Sequence, residues 1–259
     1  MALKAALKAA AKGGDALPEV NFSEMDGVRF LHLGTEWVQG SMQIDAPFYI
    51  ELDYVQRMMA GLLFMDAGGV AKKHAMQLGL GSAALTKFCH KKLRMKTTAV
   101  ELNPQVIAAC QRWFKLPRDD ARLRVIEADD SVEIQKPQHQ GTVDLLHVDL
   151  YDDDAAGPVL DSDEFYAHCH DLLTDDGVMT VNLFGRNSSY PQSLVKIAGA
   201  FGPQAVWAFT PTLEGNTVVL AQREPTRPDR EVLLKRAGVI ESRWSLPAKK
   251  WLRLLRPVV

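Results

Sequence analysis

The stretch Ala75-Met76-Gln77-Leu78-Gly79-Leu80-Gly81-Ser82-Ala83-Ala84, followed by Thr98-Ala99-Val100-Glu101-Leu102-Asn103-Pro104, decides how this chain is read. A short apolar run enters a G-x-G-x-x-A turn and then a helix-like segment, the context in which such a turn binds a nucleotide or nucleoside. Glycines let the backbone come close to a ligand, and the following helix start offers free N–H groups. Glu101 ends the next apolar run, 22 residues after Gly79. An acidic side chain at a second strand end can accept hydrogen bonds from both hydroxyls of a ribose.

Outward from this unit the pattern repeats. Leu123 to Ile126, Val143 to Leu150 and Val178 to Asn182 are further apolar runs, each separated from the next by a helix-like segment of about ten residues or more, the length that right-handed crossovers between parallel strands need. Ala205 to Thr210 and Thr217 to Gln222 are joined by too short a loop for a crossover and are expected to be antiparallel. The expectation is an α/β fold, a doubly wound and mostly parallel sheet of seven strands, Rossmann-like and of methyltransferase type. Upstream, Arg29 to Leu33 and Glu36 to Gln39 flank Gly34-Thr35 as a β-hairpin, giving a small N-terminal β element. Tyr54, Met58, Leu62 and Phe64-Met65 have helical spacing.

Four stretches follow: a tail over 1–20, the β element and its linking helix over 21–65, an α/β domain over 66–225, and a basic helical tail over 226–259. Met1 to Lys12 is Ala-rich, with Lys4, Lys8 and Lys12 at i, i+4 spacing before Gly13-Gly14. From Arg230 on, eight Lys/Arg stand against two Glu, with Trp244 and Trp251 interleaved at helical spacing. That tail reads as an amphipathic helix docking its aromatics on the domain or on a second subunit.

At 259 residues, 47% hydrophobic and 24% charged, the composition is that of a globular protein. A net charge of -2 supplies no overall field for nucleic acid or an anionic membrane, and neither partner is expected. No run approaches the ~20 apolar residues of a membrane span, and the first residues lack the apolar core of a signal peptide. Cys89, Cys110 and Cys169 show no paired spacing, so neither zinc nor disulfides are expected, and a reducing cytoplasm fits.

Strand ends also supply the remaining polar candidates, because open α/β sheets bind ligands beyond the carboxyl ends of their strands. Glu127-Ala128-Asp129-Asp130 closes the third run; Asp129 is a nucleoside contact, a helix N-cap, or both. The fourth run delivers Asp149, then Tyr151 and the cluster Asp152, Asp153 and Asp154. Carboxylates there can hold or deprotonate a cationic amine; the cluster also fits a metal loop or a solvated turn. His147, His168 and His170 are read as structural.

Together these segments resemble the spermidine synthase (polyamine aminopropyltransferase) family. Leu78-Gly79-Leu80-Gly81 stands for its glycine turn, Val100-Glu101-Leu102-Asn103-Pro104 for V-E-I-D-P, Ala128-Asp129 for G-D, and Val148-Asp149-Leu150-Tyr151-Asp152 for V-D-S-S-D, followed by Gly157-Pro158 and Glu164-Phe165-Tyr166. The resemblance implies a homodimer whose glycine turn, Gly79 and Gly81, and Glu101 hold the ribose, while Asp129 holds the adenine. It implies that Asp149 helps deprotonate an attacking amine, that Asp152, with Tyr151, lies on the substrate side, and that Gln56, within Val55-Gln56-Arg57 for Y-Q-E, faces the donor.

Several positions depart from the family, among them Arg57 for the glutamate of Y-Q-E. Ser82 replaces the aspartate that holds the aminopropyl ammonium, so decarboxylated and intact S-adenosylmethionine both remain open as donors. Val55 and Leu213, the latter in Pro211-Thr212-Leu213-Glu214-Gly215-Asn216, replace tyrosines of the amine pocket. The expected activity is aminopropyl transfer to a small amine without a metal; a methyltransferase on the same fold and an inactive nucleoside-binding member are the alternatives.

Overall fold

In a computed structural model that describes residues 17–151, 159–184 and 189–259, alternation of side chains along the central strands sets the layering. Ala75, Leu145 and Val178 face one apolar cluster, while their neighbours Met76, Leu146 and Met179 face another. With side chains alternating at period two and both faces apolar, these runs can only be strands covered on both sides.

Three N-terminal strands, β1 (Val20–Met25), β2 (Val28–Leu33) and β3 (Gly40–Gln43), form a separate antiparallel sheet. Helix α1 (Asp53–Met58) then passes into a 3-10 turn over Met59–Phe64. The main sheet is built from β4 (His74–Leu78), β5 (Lys96–Glu101), β6 (Leu123–Glu127), β7 (Val143–Val148), β8 (Leu173–Phe184), β9 (Val206–Phe209), β10 (Asn216–Gln222) and β11 (Leu255–Pro257). Its order is β11-β9-β10-β8-β7-β4-β5-β6. The five strands from β8 to β6 are parallel, whereas β10 pairs antiparallel with both β8 and β9.

The helices are α2 (Ala84–Lys87), α3 (Pro104–Trp113), α4 (Asp130–Glu133), α5 (Asp163–Leu172), α6 (Ser189–Phe201), α7 (Arg230–Trp244) and α8 (Ala248–Leu254). One face of the sheet is covered by α1, α2, α7 and α8 and the other by α5 and α6. Among the described residues, no helix is long and apolar enough to cross a membrane.

Two local expectations are corrected. The β element holds two hairpins: an unforeseen one, β1–β2, turns at Asp26-Gly27, whose positive φ of +51° and +77° is the geometry of the tight turn that matches paired strands, and the expected one at Gly34-Thr35 pairs β2 with β3 through a longer loop, 34–39. Glu36 to Gln39 is irregular, and β3 begins only at Gly40. The second correction is at the C-terminus, where the expected helical tail ends as β11, an eighth strand, with Leu255 opposite Phe209. Pro257 is tolerated there because β11 is an edge strand. Trp251 is fully buried against the first face, so the tail docks on its own domain. The N-terminal Lys stripe lies outside the described residues.

Candidate active site

Strand order reverses at β4, whose neighbours are β5 on one side and β7 on the other. A crevice opens beyond the carboxyl ends of strands at such a switch point. The two segments that meet here are the glycine turn after β4 and Asp149 after β7. Asp149 N donates to Leu78 O at 3.0 Å. Gly79 has φ +78°, and a Cβ on it would lie 2.3 Å from Asp149 O. Glycine is therefore required both for the left-handed backbone and for the close approach of the two strand ends.

On the β5 side the turn is held by Glu101, which accepts from Leu80 N at 2.9 Å and from Asn103 N at 2.8 Å. Burial raises its pKa, and these amides oppose the shift. Each carboxylate oxygen takes one amide and keeps a further lone pair, the capacity needed for two hydroxyls. Gln77 pins the turn from beneath, donating to Gly79 O at 2.7 Å while Thr86 N donates to its oxygen at 3.0 Å.

At the end of β6 the two aspartates separate by role. Asp129 is exposed and caps α4, accepting from Ser131 N at 2.8 Å and Ser131 Oγ at 2.6 Å. Asp130 is 7% exposed, and its Oδ1 has no hydrogen-bond partner. Burial first, then the neighbouring Glu101 and Asp129 carboxylates, push its pKa up to about 8, and the Gly79 and Asp130 amides offset this only partly. An unsatisfied buried carboxyl beside the glycine turn is costly, and a ligand hydrogen bond would relieve it. Sequence reasoning read Asp129 as a nucleoside contact, an N-cap or both, and the cap is seen here; Asp130 was not singled out, the one available signal being that the first acidic residue of an Asp-Asp pair suits an N-cap, leaving the second to point elsewhere.

On the far side of the crevice stands Asp149. Its Oδ1 accepts from Asn182 Nδ2 at 2.9 Å and its Oδ2 from the Tyr54 hydroxyl at 3.3 Å. Burial raises its pKa to about 6, with both neutral donors pulling the other way. The carboxyl is thus mostly ionised at neutral pH yet able to take a proton, the condition for a general base. Asn182 in turn accepts from Asn216 Nδ2 at 3.1 Å. Tyr54, Asn182 and Asn216 were not singled out from the sequence. Tyr54, one residue before Val55, sets an aromatic ring beside Asp149.

The other residues named from the sequence have the following surroundings. Ser82 is 3% exposed and donates to Ser41 O at 3.0 Å. Gly40 packs so closely that a Cβ there would sit 2.8 Å from Ser82 N. Ser82 thus joins the glycine turn to β3 rather than presenting its hydroxyl to the crevice. Tyr151 braces β8, donating to Asn182 O at 2.8 Å and accepting from Phe184 N. Gln56 lies two residues from Tyr54, roughly 200° around α1. Its amide donates to Ile50 O at 2.7 Å, and it lines a cavity of about 550 Å³ with Tyr49, Leu246 and Lys250. Asp152, Asp153, Asp154, Gly157 and Pro158 lie outside the described residues. Leu213 is 95% exposed. His147 is buried between Thr180 Oγ1, at 2.8 Å, and Cys89; burial lowers its pKa to about 3 and keeps it neutral. Cys89, Cys110 and Cys169 are free and buried.

No family model matches the chain. It is 32% identical to the polyamine aminopropyltransferase of Chromobacterium violaceum over 246 residues, 93% of this chain and 91% of that protein. It is also 32% identical to the polyamine aminopropyltransferase of Neisseria meningitidis serogroup A over 248 residues, 95% and 91% of the two chains. Among solved structures it resembles a probable spermidine synthase from Corynebacterium glutamicum, with TM-score 0.69, 18% identity and coverage of 86% and 82%. Human methyltransferase-like protein 13 in complex with SAH gives TM-score 0.67, 22% identity and coverage of 74% and 92%. These two structural likenesses establish the mostly parallel, Rossmann-like fold. Given the identity of 32% across more than nine-tenths of its length, the chain belongs to the polyamine aminopropyltransferase family.

Proposed function

We propose that this protein transfers an aminopropyl group from decarboxylated S-adenosylmethionine to a small amine. The observation that carries the reading is Asp149, buried between two neutral donors, its pKa raised to about 6, and bonded through its backbone to the strand end that opens the glycine turn. Glu101 would accept the ribose hydroxyls, Gly79 and Gly81 would admit the nucleoside, and Asp130, with Asp129 beside it, would face the base. The acceptor nitrogen would attack the carbon bound to the sulfonium: a C–N bond forms, the C–S bond breaks, and methylthioadenosine leaves. Asp149 would take the proton that the nitrogen sheds. Orientation of the two reactants supplies much of the acceleration, up to ~7–11 kcal/mol in well-aligned cases. Asp152 and Tyr151 are proposed to bound the acceptor end.

The Asp149 carboxylate, with Glu101 further along the crevice, favours the cationic arm of the decarboxylated donor over the zwitterionic arm of the intact one. A second reading, methyl transfer from intact S-adenosylmethionine, is favoured by Ser82, since no carboxylate at this position repels the donor's own carboxylate. Calorimetric titration with the two donors and with methylthioadenosine tests both. Tighter binding of the decarboxylated donor supports aminopropyl transfer, preference for the intact donor supports methyl transfer, and no binding of any of the three overturns the nucleoside site. A homodimer in the cytoplasm is the assembly and location we infer from the family; light scattering at twice the 28.7 kDa chain mass would support the dimer.

A further inference from the structure

We propose that Asn216, a residue that touches no part of the crevice carboxylate, is a positioning residue for Asp149: it fixes which end of the Asn182 amide faces that carboxylate. The role in catalysis rests on Asp149 being the proton acceptor, but the positioning itself does not.

The argument begins with register. In the β10–β8 ladder, Asn216 lies opposite Phe184 and Val218 opposite Asn182, so Asn216 and Asn182 are diagonal neighbours on one face. Both are buried, 7% and 3% exposed. The bonds between them run in one direction. Thr212 Oγ1 lies 3.5 Å from Asn216 Oδ1 as its donor, Asn216 Nδ2 donates to Asn182 Oδ1 at 3.1 Å, and Asn182 Nδ2 donates to Asp149 Oδ1 at 2.9 Å. Asn216 N also donates to Thr212 Oγ1 at 3.2 Å, holding this start of the chain in place.

An amide has one accepting and one donating end, so the chain has only one satisfied arrangement. Turning Asn182 would set its oxygen against the Asp149 carboxylate and its NH2 against that of Asn216, two unsatisfied contacts at once. Each buried mismatch of this kind costs ~1–3 kcal/mol. Without the Asn216 donor the second penalty disappears, and the first disappears once Asp149 is protonated, because the turned amide oxygen then accepts from the carboxyl O–H. The protonated form of Asp149 gains a hydrogen bond that Asn216 otherwise denies it, so the carboxyl holds its proton more tightly. Asn216 directly follows the Pro211–Gly215 loop, so the state of that exposed loop reaches Asp149 through Thr212 and the two amides.

The test needs no substrate. Protein carrying 13C at the aspartate carboxyl carbons is titrated by NMR, with the Asp149 signal assigned by its absence in Asp149→Asn. In Asn216→Ala the Asp149 midpoint is expected to rise by about 0.5–1 pH unit, with a change in the Asn182 side-chain amide signals. Thr212→Val, which keeps the shape but loses the hydroxyl, is expected to give a smaller rise of the same sign. If Asn216→Ala melts early, Asn216→Ser must show the rise instead. A folded Asn216 variant whose Asp149 midpoint stays within 0.2 unit of wild type would overturn the proposal. Loss of transfer in Asp149→Asn judges the catalytic reading separately, so the two ideas fail independently.

Discussion

The two walls of the crevice are built on different plans. The wall we assign to the nucleoside comes from consecutive strand ends: Gly79 after β4, Glu101 at the end of β5, and Asp129-Asp130 after β6, neighbours in the sheet and within about fifty residues of chain. The opposite wall gathers Tyr54 from α1, Asp149 after β7, Asn182 from β8 and Asn216 from β10, spread over more than 160 positions. On the first wall the turn itself presents N–H groups, and few side chains are needed. The second depends on side chains meeting across elements, so a shift of one residue in any of them changes the chemistry. In the proposed reading, local geometry would make the nucleoside site and assembly across the sheet the particular reactive group.

Replacing Asp149 by Asn should break the second wall and leave the first intact. Transfer is expected to fall by ~10²–10⁴-fold while methylthioadenosine still binds. The same variant should be more stable than wild type at pH 7, by roughly 1–3 kcal/mol in denaturant titration. The sign follows from the direction of the shift. A carboxyl whose folded pKa is raised to about 6 binds its proton more tightly when folded, so stability is lost as pH climbs from about 4 to 6 and stays lost above. Below about pH 4 the advantage of the variant should vanish.

Gly79→Ala strikes the seam between the walls, because the new Cβ would meet Asp149 O and the backbone would be strained. A stability loss of ~2–4 kcal/mol is expected, with nucleoside affinity and transfer falling together. If only transfer fell, the turn would not be part of the nucleoside site.

On the nucleoside wall, Asp130→Ala and Asp129→Ala should differ although the residues are adjacent. The first is expected to weaken methylthioadenosine about tenfold, the cost of one lost hydrogen bond. The second should change affinity less than threefold and instead cost ~1 kcal/mol through loss of the α4 cap. Equal effects on binding would return Asp129 to the site. Smallest of all, Tyr54→Phe removes one neutral donor to Asp149 and should move the midpoint of the pH–rate profile upward by about half a unit. A downward movement would mean that the phenol destabilises the carboxylate.

Legibility in the sequence followed the same division. Gly79, Gly81 and Glu101 were readable because a turn between a strand and a helix constrains residue type locally. Asp129 was readable as a cap at a strand end, whereas the burial of Asp130 was not, because the direction of a side chain depends on where the helix begins. Tyr54 was passed over because helical phase, not motif position, brings its hydroxyl to Asp149. Asn182 and Asn216 carry no signal of their own, since an asparagine inside an apolar run gives no hint of what lies on the neighbouring strand. Ser82 was recognised as a departure from the family, yet only the packing of Gly40 against it explains where its hydroxyl goes.

The sequence by itself determined the alternation of strand and helix, the parallel sheet, the glycine turn with its acidic partner, and the antiparallel close, because period, turn chemistry and crossover length are properties of short stretches. Tertiary structure alone decided the return of the C-terminus as β11, the placing of Tyr54 and Asn182 on Asp149, and that of Asn216 behind Asn182. Those outcomes depend on which distant surfaces bury one another, and no short stretch of chain contains its own partner.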